Sequence, residues 1–251
     1  MSVVPLDPES ILGSWTTPRI RTGVVSVWAF TLAGSHALRA RCQAWLSHAE
    51  RERAARFTCA RDRTEYLFAH GVLRFLLGRY SGVQPAALRF EVGPWGKPTL
   101  RTQTLAGAGL SFNLTHSGGR ALLAVADGRE IGIDLEKKRP DIEALSIARN
   151  YFFGSELEAI RGTPDELRTH AFFRYWTAKE AVIKGEGLGL SLPLDRFHVR
   201  FLSGNTRARV ETLDESRLAP DWFVRTLPCE PAWSAAVAAR GQDWIVKIEP
   251  G

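Results

Sequence analysis

The sequence predicts an α+β fold of two similar halves, each a small, mainly antiparallel sheet packed with helices, with the site in the cleft between them. The chain has 251 residues and is 45% hydrophobic, which is enough for one large domain or two small ones. A strand, then helices, then several short strands occur twice in that order, without an obvious sequence repeat. We expect the halves to divide at the turn Asp127–Arg129, giving residues 1–127 and 128–251.

The first half begins with a predicted strand, VVSVWAFTL, at residues 24–32. A helix follows from about Ser35, and Ser47 with Glu50 three residues later is the pattern of a capping box that starts a second helix. Apolar residues at three- and four-residue steps then predict a long helix from Asp62 to Tyr80.

Short strands separated by Gly and Pro come next: LRFEVGPWGKPTL, LSFNLTHSGG, RALLAVADG and REIGIDLE. Asp127-Gly128 is typical of a tight hairpin between two of these strands. Helices are expected at about residues 142–153, 155–161 and 164–184. The segments FHVRFL, RARVETL, WFVRTL, WSAAVAA and DWIVKI are then expected to form a second sheet.

Composition limits the possible classes of protein. The net charge is +6 and the pI about 9.5, which suits nucleic acid, a membrane surface, a phosphate-rich small molecule or an acidic protein. Cys42, Cys59 and Cys229 are few and widely spaced, so neither a disulfide framework nor a zinc knuckle is expected. No signal peptide or membrane span is visible in the sequence, so a cytoplasmic location is expected.

Two carboxylates on one predicted strand suggest a cation site. In IGIDLE, Asp134 and Glu136 lie on the same face of the strand, opposite Ile131, Ile133 and Leu135. Side chains two apart on a strand are close enough to share one hard cation such as Mg²⁺. The alternative is that they are the solvated face of an edge strand.

A third carboxylate, Glu180, belongs to the helical segment YWTAKEAVIKGEGLG. At roughly 100° per residue it falls inside the apolar arc of Phe173 and Trp176, where a carboxylate is costly unless a cation meets it. A surface ion pair with Lys184 is the alternative. The inward arc favours a shared site with Asp134.

Several further residues suit an anion such as a phosphate. Lys179 and Lys184 flank Glu180, and a glycine-rich run follows them. FNLTHSGG presents Thr115 and His116 where a strand meets a turn. GPWGKP offers Lys97, and the basic stretch at residues 51–63 is either a solvated helix face or a second anion site.

Together these motifs closely resemble those of the 4′-phosphopantetheinyl transferases. The order GKP, FNLTHSG, IGIDLE and YWTAKEAVIKGEGLGL carries the resemblance, from about Trp45 to Pro193. The chain length and the duplicated layout are similar to the large, single-chain Sfp-type branch. The resemblance implies transfer of phosphopantetheine from coenzyme A to a serine of an acyl or peptidyl carrier protein, releasing adenosine 3′,5′-bisphosphate. It implies Mg²⁺, with Mn²⁺ as the alternative, and a monomer without nucleic-acid or membrane partners.

The resemblance also implies residue roles. The metal-binding carboxylates would be Asp134, Glu136 and Glu180. The catalytic residues would be Glu180 (the general base for the serine), Lys184, His116 and Asp134. The contacts to coenzyme A would be Arg53, Arg56, Lys97, Thr115, His116, Lys179 and Lys184. Carrier-protein docking would fall on residues 137–153.

This sequence departs from the family pattern at two places. Thr64-Glu65-Tyr66 follows Arg63 where relatives often have a basic residue, and a bulky Trp95 precedes Gly96. Two other classes remain as alternatives. A nucleic-acid-binding protein would interleave its aromatics with the arginine clusters, and a subunit that binds coenzyme A without turnover would keep the fold and the pocket.

Overall fold

The computed structural model describes residues 3–13, 18–101, 109–202, 204, 206–212 and 218–250. Seven α-helices lie within these ranges: α1 (Pro8–Gly13), α2 (His36–Trp45), α3 (His48–Ala55), α4 (Ala60–Ser81), α5 (Ala144–Tyr151), α6 (Gly154–Arg161) and α7 (Asp165–Glu186). The strands of the first half are β1 (Val24–Thr31), β2 (Phe90–Val92), β3 (Pro98–Leu100), β4 (Leu110–Ser117) and β5 (Arg120–Asp127). Those of the second half are β6 (Ile131–Lys137), β7 (Phe197–Phe201), β8 (Arg207–Thr212), β9 (Trp222–Leu227), β10 (Trp233–Arg240) and β11 (Ile245–Ile248).

The strands form two main sheets and a small ribbon, which confirms the predicted α+β class. The first sheet has the order β11–β1–β5–β4 and the second the order β6–β10–β9–β8–β7, while β2 and β3 pair by themselves. All pairings are antiparallel except that of β1 with β11.

The last strand was expected in the second sheet, and this prediction is wrong. β11 pairs in parallel with β1, with Val24 opposite Ile245 and Val27 opposite Ile248. Side-chain pattern alone does not say which sheet edge a terminal strand completes. The division of the chain at residue 127 stays a prediction, because β11 follows this residue in the sequence but belongs to the first sheet.

The predicted hairpin at Asp127-Gly128 is also wrong. β5 belongs to the first sheet and β6 is an edge strand of the second sheet, so the chain passes from one sheet to the other at this turn. Gly128 has φ +58°, which suits a turn of either kind. The tight hairpin is instead at Gly118-Gly119, with φ of +52° and +82°, and it joins β4 to β5.

The long helices agree closely with the periodicity of the sequence. The predicted helix from Asp62 to Tyr80 is α4, and its apolar face packs on the first sheet with α1 and α2. The capping box of Ser47 and Glu50 is present at the start of α3. α7 packs against the second sheet and ends at Gly187, which takes the left-handed conformation.

The two sheets also pack on each other. Valine, alanine and leucine side chains of β1 and β5 meet isoleucine and alanine side chains of β6 and β10 in a third, buried cluster. The core is therefore continuous across the halves.

Side chains of β4 accept hydrogen bonds from the backbone of β6 and so connect the two sheets, although β4 and β6 are not paired as strands. The Oδ1 of Asn113 accepts from the backbone N–H of Ile133 at 3.0 Å, and the Oγ of Ser117 accepts from that of Lys137 at 3.2 Å. These bonds place β6 alongside β4, with Thr115 between them facing the carboxylate strand.

A pair of glycines sets the distance between β6 and α7. A Cβ on Gly132 would lie 2.0 Å from the carbonyl oxygen of Ala181 and 2.3 Å from the backbone nitrogen of Gly185. Only glycine permits this backbone-to-backbone contact. Because Asp134 lies two residues beyond Gly132, the contact brings the acidic strand next to the last turns of α7.

Candidate active site

A pocket of about 460 Å³ lies in the cleft between the halves. Its walls come from the first half (α3, α4, the β2–β3 turn and β4) and from the end of α7. The lining includes five residues of the predicted site: Arg53, Lys97, His116, Glu180 and Lys184.

Lys184 and Asp134 form the central contact beside this pocket. The Nζ of Lys184 lies 2.5 Å from the Oδ1 of Asp134 and donates to the Oγ1 of Thr115 at 3.1 Å. The Thr115 hydroxyl in turn donates to Asp134 Oδ1 at 3.3 Å. Asp134 is only 2% exposed, so the lysine charge compensates a carboxylate that has left water.

Glu136 and Glu180 complete an acidic cluster with Asp134. Burial raises the pKa of Glu180, and the negative charge of Asp134 raises it further, while Lys184 opposes both. The pKa of Glu136 is likewise raised by burial and by Asp134, although the hydroxyl of Ser117 donates to it at 3.0 Å. Three carboxylates therefore influence one another around a single lysine.

This cluster fits a divalent cation by its chemistry. The Oδ2 of Asp134 is buried and has no hydrogen-bond partner within the described part of the chain. This unpartnered oxygen lies beside two carboxylates whose pKa values are raised. Together they offer several hard oxygen donors, and the nearby positive charge does not balance their negative charge. The side chains are not arranged as a finished cage: among the residues that the structure describes, no three His, Cys, Asp or Glu side chains form a metal-binding group.

His116 lines the pocket from the end of β4. Burial lowers the pKa of its imidazole; electrostatic interactions with His70 and Lys184 act in the same direction, and Glu65 opposes them. A neutral imidazole beside Lys184 can donate one hydrogen bond to an anion.

Lys97 lines the pocket, but its ammonium group is held by the protein. It donates to the carbonyl oxygens of Ile131, at 3.3 Å, and of Gly185. The β2–β3 turn is thereby fastened to the second half at the end of α7. Burial lowers the pKa of Lys97, and the charges of Glu130 and Glu186 oppose this.

The two arginines that were predicted to contact coenzyme A differ in whether they line the central pocket. Arg53 and Phe57 line both the central pocket and a neighbouring surface cavity, whereas Arg56 is in the lining of the second only. The structure therefore does not bring Arg56 to the pocket.

Lys179 is the clearest correction among the predicted site residues. Its side chain is 0% exposed and lies 2.9 Å from Glu156, which is also fully buried. It donates to the carbonyl oxygens of Leu194, at 2.8 Å, and Phe197, at 2.6 Å. Burial lowers its pKa to about 8, against the attraction of Glu156. All three ammonium protons thus have partners inside the second half, away from the pocket, so Lys179 is not a coenzyme contact.

Sequence reasoning missed two aromatic residues of α4. Tyr66 and His70 line the pocket, and their ring centroids are 4.0 Å apart. Both lie on the face of α4 that carries Leu73, which also lines the pocket. A histidine four residues after a tyrosine in an apolar stripe was the available signal. Trp95, the bulky departure noted above, also lines the pocket and is 53% exposed.

The predicted docking region is partly core. Phe152 is 5% exposed and its ring stacks on that of Phe172, so it is not a surface contact. Tyr151 is 54% exposed, and Lys137 and Arg139 are also exposed. The exposed charged residues that remain for a partner are Lys137, Arg139 and Arg149 together with Asp141 and Glu143, and Tyr151 adds an exposed aromatic ring.

The fold and the site together define a class of protein. Two α/β halves enclose a cleft in which acidic side chains on one strand face a lysine from a helix and hydroxyl and imidazole groups from a second strand, an arrangement that suits an enzyme acting on phosphorylated substrates. No helix in the described residues is long and apolar enough to cross a membrane.

Comparison with known proteins identifies the family. Residues 130–238 match the family profile described as the 4′-phosphopantetheinyl transferase superfamily, and residues 35–127 match the one described as 4′-phosphopantetheinyl transferase, N-terminal. The chain belongs to this superfamily and is a transferase of that kind.

Curated relatives cover most of the chain. It is 37% identical over 224 residues to the 4′-phosphopantetheinyl transferase HetI of Nostoc sp., covering 89% of this chain and 91% of the relative. It is 31% identical to the 4′-phosphopantetheinyl transferase Sfp of Bacillus subtilis, over 81% of this chain and 86% of the relative. The L-aminoadipate-semialdehyde dehydrogenase-phosphopantetheinyl transferase of Rattus norvegicus is 29% identical over 77% of this chain and 67% of its own.

Proposed function

We propose that this protein transfers 4′-phosphopantetheine from coenzyme A to the serine hydroxyl of a carrier protein, and releases adenosine 3′,5′-bisphosphate. The supporting observation is the contact of Lys184 with Asp134 beside Glu180, at the edge of a cationic pocket that joins the two halves. Family membership supports the reaction class.

The chain's cationic and polar groups would hold the diphosphate of coenzyme A. Lys184 and His116 line the pocket on adjacent elements, and Thr115 holds the Lys184 ammonium in place. Charge-assisted bonds from these groups would offset the charge that develops on the bridging oxygen as the bond breaks.

The acidic cluster would do two tasks. A carboxylate with a raised pKa is a better proton acceptor than an ordinary one near neutral pH, so Glu180 is the proposed base for the serine hydroxyl. The serine oxygen forms a bond to the β-phosphorus, the phosphoanhydride bond breaks, the proton goes to Glu180, and the bisphosphate leaves with the bridging oxygen.

Asp134, Glu136 and Glu180 are the proposed holders of a divalent cation, Mg²⁺ or Mn²⁺. The orphaned Oδ2 of Asp134 supports this. When bound, such an ion supplies charge neutralisation to the diphosphate oxygens.

The partner surface is proposed around the end of β6 and α5. Lys137, Arg139 and Tyr151 are exposed there, and the formal net charge of the chain is +6. An acidic carrier protein would be steered toward such a surface. The proposal includes a monomer acting in the cytoplasm.

The test is direct. The protein is incubated with coenzyme A, Mg²⁺ and each of several apo carrier proteins, and the carriers are weighed by intact-mass spectrometry. We expect one added phosphopantetheine arm on at least one carrier, and none when Mg²⁺ is replaced by a chelator. If calorimetry shows that the protein binds coenzyme A but no carrier protein is modified, the result would contradict transfer and favour a subunit that binds coenzyme A without turnover.

A further inference from the structure

A second cavity, of about 690 Å³, lies outside the candidate active site. It is a groove between the two sheets, with β11 on one side and the start of β8 and the end of β9 on the other. It shares no lining residue with the active-site pocket. Its charged lining residues within the described part of the chain are all cationic: Arg207, Arg225 and Lys247. The reaction in the cleft therefore gives this groove no role.

One wall of the groove is an unpaired strand edge. Within the described residues, β11 is the edge strand of the first sheet and pairs with β1. The backbone N–H groups of Ile245 and Glu249 donate to carbonyl oxygens on the β1 side, each at 2.9 Å. Because the backbone groups of alternate residues point to opposite edges of a strand, those of Val246 and Ile248 point to the free edge. This edge offers the alternating donors and acceptors that an added strand requires.

The other wall carries a pair of arginines whose charges are not balanced. Arg207 and Arg225 are direct cross-strand partners in β8 and β9, and like charges directly opposite each other destabilise a sheet. Burial lowers the pKa of Arg225, and the charge of Arg207 acts in the same direction. Within the described residues neither guanidinium has a carboxylate partner, whereas Lys247 pairs with Glu249 at 2.5 Å. An anion in the groove would relieve the repulsion between the two arginines.

Packing fixes the position of Arg225. Its guanidinium lies over the ring of Trp244, 4.7 Å from the centroid, and donates to the carbonyl oxygen of the same residue. Leu227 and Ile245 add apolar side chains to the lining. A ligand in this groove therefore meets fixed positive charge, some apolar surface and free backbone groups.

We propose that this groove is a docking site for an extended, acidic segment of a partner protein. The segment would add to β11 as a further strand of the first sheet, bonded through its backbone. Its alternate side chains would face the second sheet, where carboxylates would pair with Arg207 and Arg225. This inference goes beyond the proposed function, because the docking needs neither coenzyme A nor the acidic cluster.

A bound nucleic acid is the competing explanation for a cationic groove. It would use the same arginines, but its backbone does not match the alternating N–H and C=O groups of a strand edge. Aromatic rings that stack on bases are also expected in such a site. The nearby ring of Trp244 is only 2% exposed, and Arg225 lies over it. The free edge of β11 therefore favours a peptide.

The experiment measures the Kd of the full chain for a fluorescent synthetic peptide of alternating glutamate and threonine, by fluorescence anisotropy. Two further peptides separate the contributions of charge and backbone. One has glutamine in place of glutamate, and the other has every backbone nitrogen methylated, so that it cannot add to a strand edge. We expect the acidic peptide to bind, and each of the other two to bind at least about 10-fold more weakly.

The protein variant is Arg207→Gln, and its matched control is Arg209→Gln. Both arginines are exposed on the same face of β8, but Arg209 is not in the lining of the groove. We expect Arg207→Gln to raise the Kd about 10-fold, as for loss of one bond to a charged group. Arg209→Gln should leave it within about twofold of the wild type. Thermal unfolding and transfer to an isolated carrier protein should be unchanged in both variants.

Hydrogen exchange followed by NMR locates the bound peptide. The amides of Val246 and Ile248 should exchange more slowly when the acidic peptide is present, because they would then donate to it. The amides of Ile245 and Glu249 already donate to the β1 side and should change little.

Three results would overturn the inference: no binding of the acidic peptide, equal Kd values for this peptide and its methylated form, or equal effects of the two arginine substitutions. Tighter binding of a short oligonucleotide, with the same dependence on Arg207, would also overturn it and assign the groove to nucleic acid. The peptide assay does not involve transfer. A wild type that binds the peptide but transfers nothing would therefore contradict the proposed function and support this inference.

Discussion

Lys184 Nζ lies 2.5 Å from Asp134 Oδ1, and this bond joins the last turns of α7 to the edge strand of the second sheet at the mouth of the cleft. Thr115 bridges both partners from the first sheet. Three elements from the two halves thus meet at one partly buried charge pair.

Asp134→Asn should abolish transfer without unfolding the protein. The amide keeps the shape and one acceptor for Lys184 but removes the charge that the proposed cation needs, so we expect a loss of at least about 100-fold in kcat. Intact-mass spectrometry of the carrier measures activity, and thermal unfolding checks the fold. Asp243→Asn, on an exposed aspartate paired with Arg129, is the control. Retained activity in Asp134→Asn would remove this residue from the site.

Lys179→Met should destabilise the protein rather than weaken coenzyme binding. Removing the lysine leaves Glu156 buried without its charge partner, which costs about 3–5 kcal/mol in typical cases. Urea unfolding measures the free energy, and KM for coenzyme A is measured on the folded fraction. Arg161→Met, which breaks a pair with Glu158 in which both side chains are exposed, should change neither.

Combining Lys179→Met with Glu156→Gln should restore part of the lost stability. The glutamine amide still offers its oxygen to one of the backbone donors of Phe153 and Val199, and the uncompensated charge is gone. A large rise in KM with normal stability in Lys179→Met would instead support the role predicted from the sequence.

Gly132→Ala should separate β6 from α7. The added Cβ would lie 2.0 Å from a backbone oxygen, so one element must move, at a cost of about 2 kcal/mol or more. We expect a lower melting temperature and reduced transfer, because Asp134 moves with the strand. At Gly154 a Cβ has nothing within 4 Å, so Gly154→Ala should be close to neutral. Equal effects of the two changes would contradict the close-contact explanation.

Glu50→Gln should remove a pH-dependent part of the stability. Burial acts to raise the pKa of Glu50, but the nearby imidazole of His70 and bonds from Arg74 and the backbone of Ser47 outweigh it and lower the pKa from 4.5 to about 2. A lowered pKa contributes stability that is full above pH 4.5 and is lost as the pH falls toward 2. By linkage this is on the order of 3 kcal/mol.

The measurement is the difference in unfolding free energy between the wild type and Glu50→Gln at several pH values. The difference should be largest near neutral pH and shrink steadily below about pH 4.5. A difference that stays constant with pH would show that packing, not charge, accounts for the effect.

Local patterns in the sequence predicted much of the fold. α4 and α7 follow from apolar spacing, and the start of α3 follows from Ser47 and Glu50, because helices and caps depend on residues a few positions apart. The pairing of β11 with β1 depends on residues at opposite ends of the chain, and no short pattern contains it. The turn at Gly128 permits both a hairpin and a crossover, and the packing of the two sheets decides.

The sequence predicted only part of the candidate site. Asp134, Thr115, Glu180 and Lys184 carried visible patterns, and the structure brings them together. Lys179 differs because it lies roughly 100° around α7 from Glu180. Of two adjacent charged residues on a helix only one can face the cleft. Lys179 faces away from it and pairs with the buried Glu156, which lies on another helix and could not be inferred from the local sequence.

The parallel pairing of β11 with β1 ties the end of the described chain into its beginning. Glu249, just beyond the strand, accepts from the hydroxyl of Ser26 at 2.7 Å. Until residues 245–248 have been synthesised, β1 therefore has an unpaired edge of the kind that invites association with other chains. The first sheet is therefore complete only when strands from both ends of the described chain have been made, whereas the second sheet does not need β11.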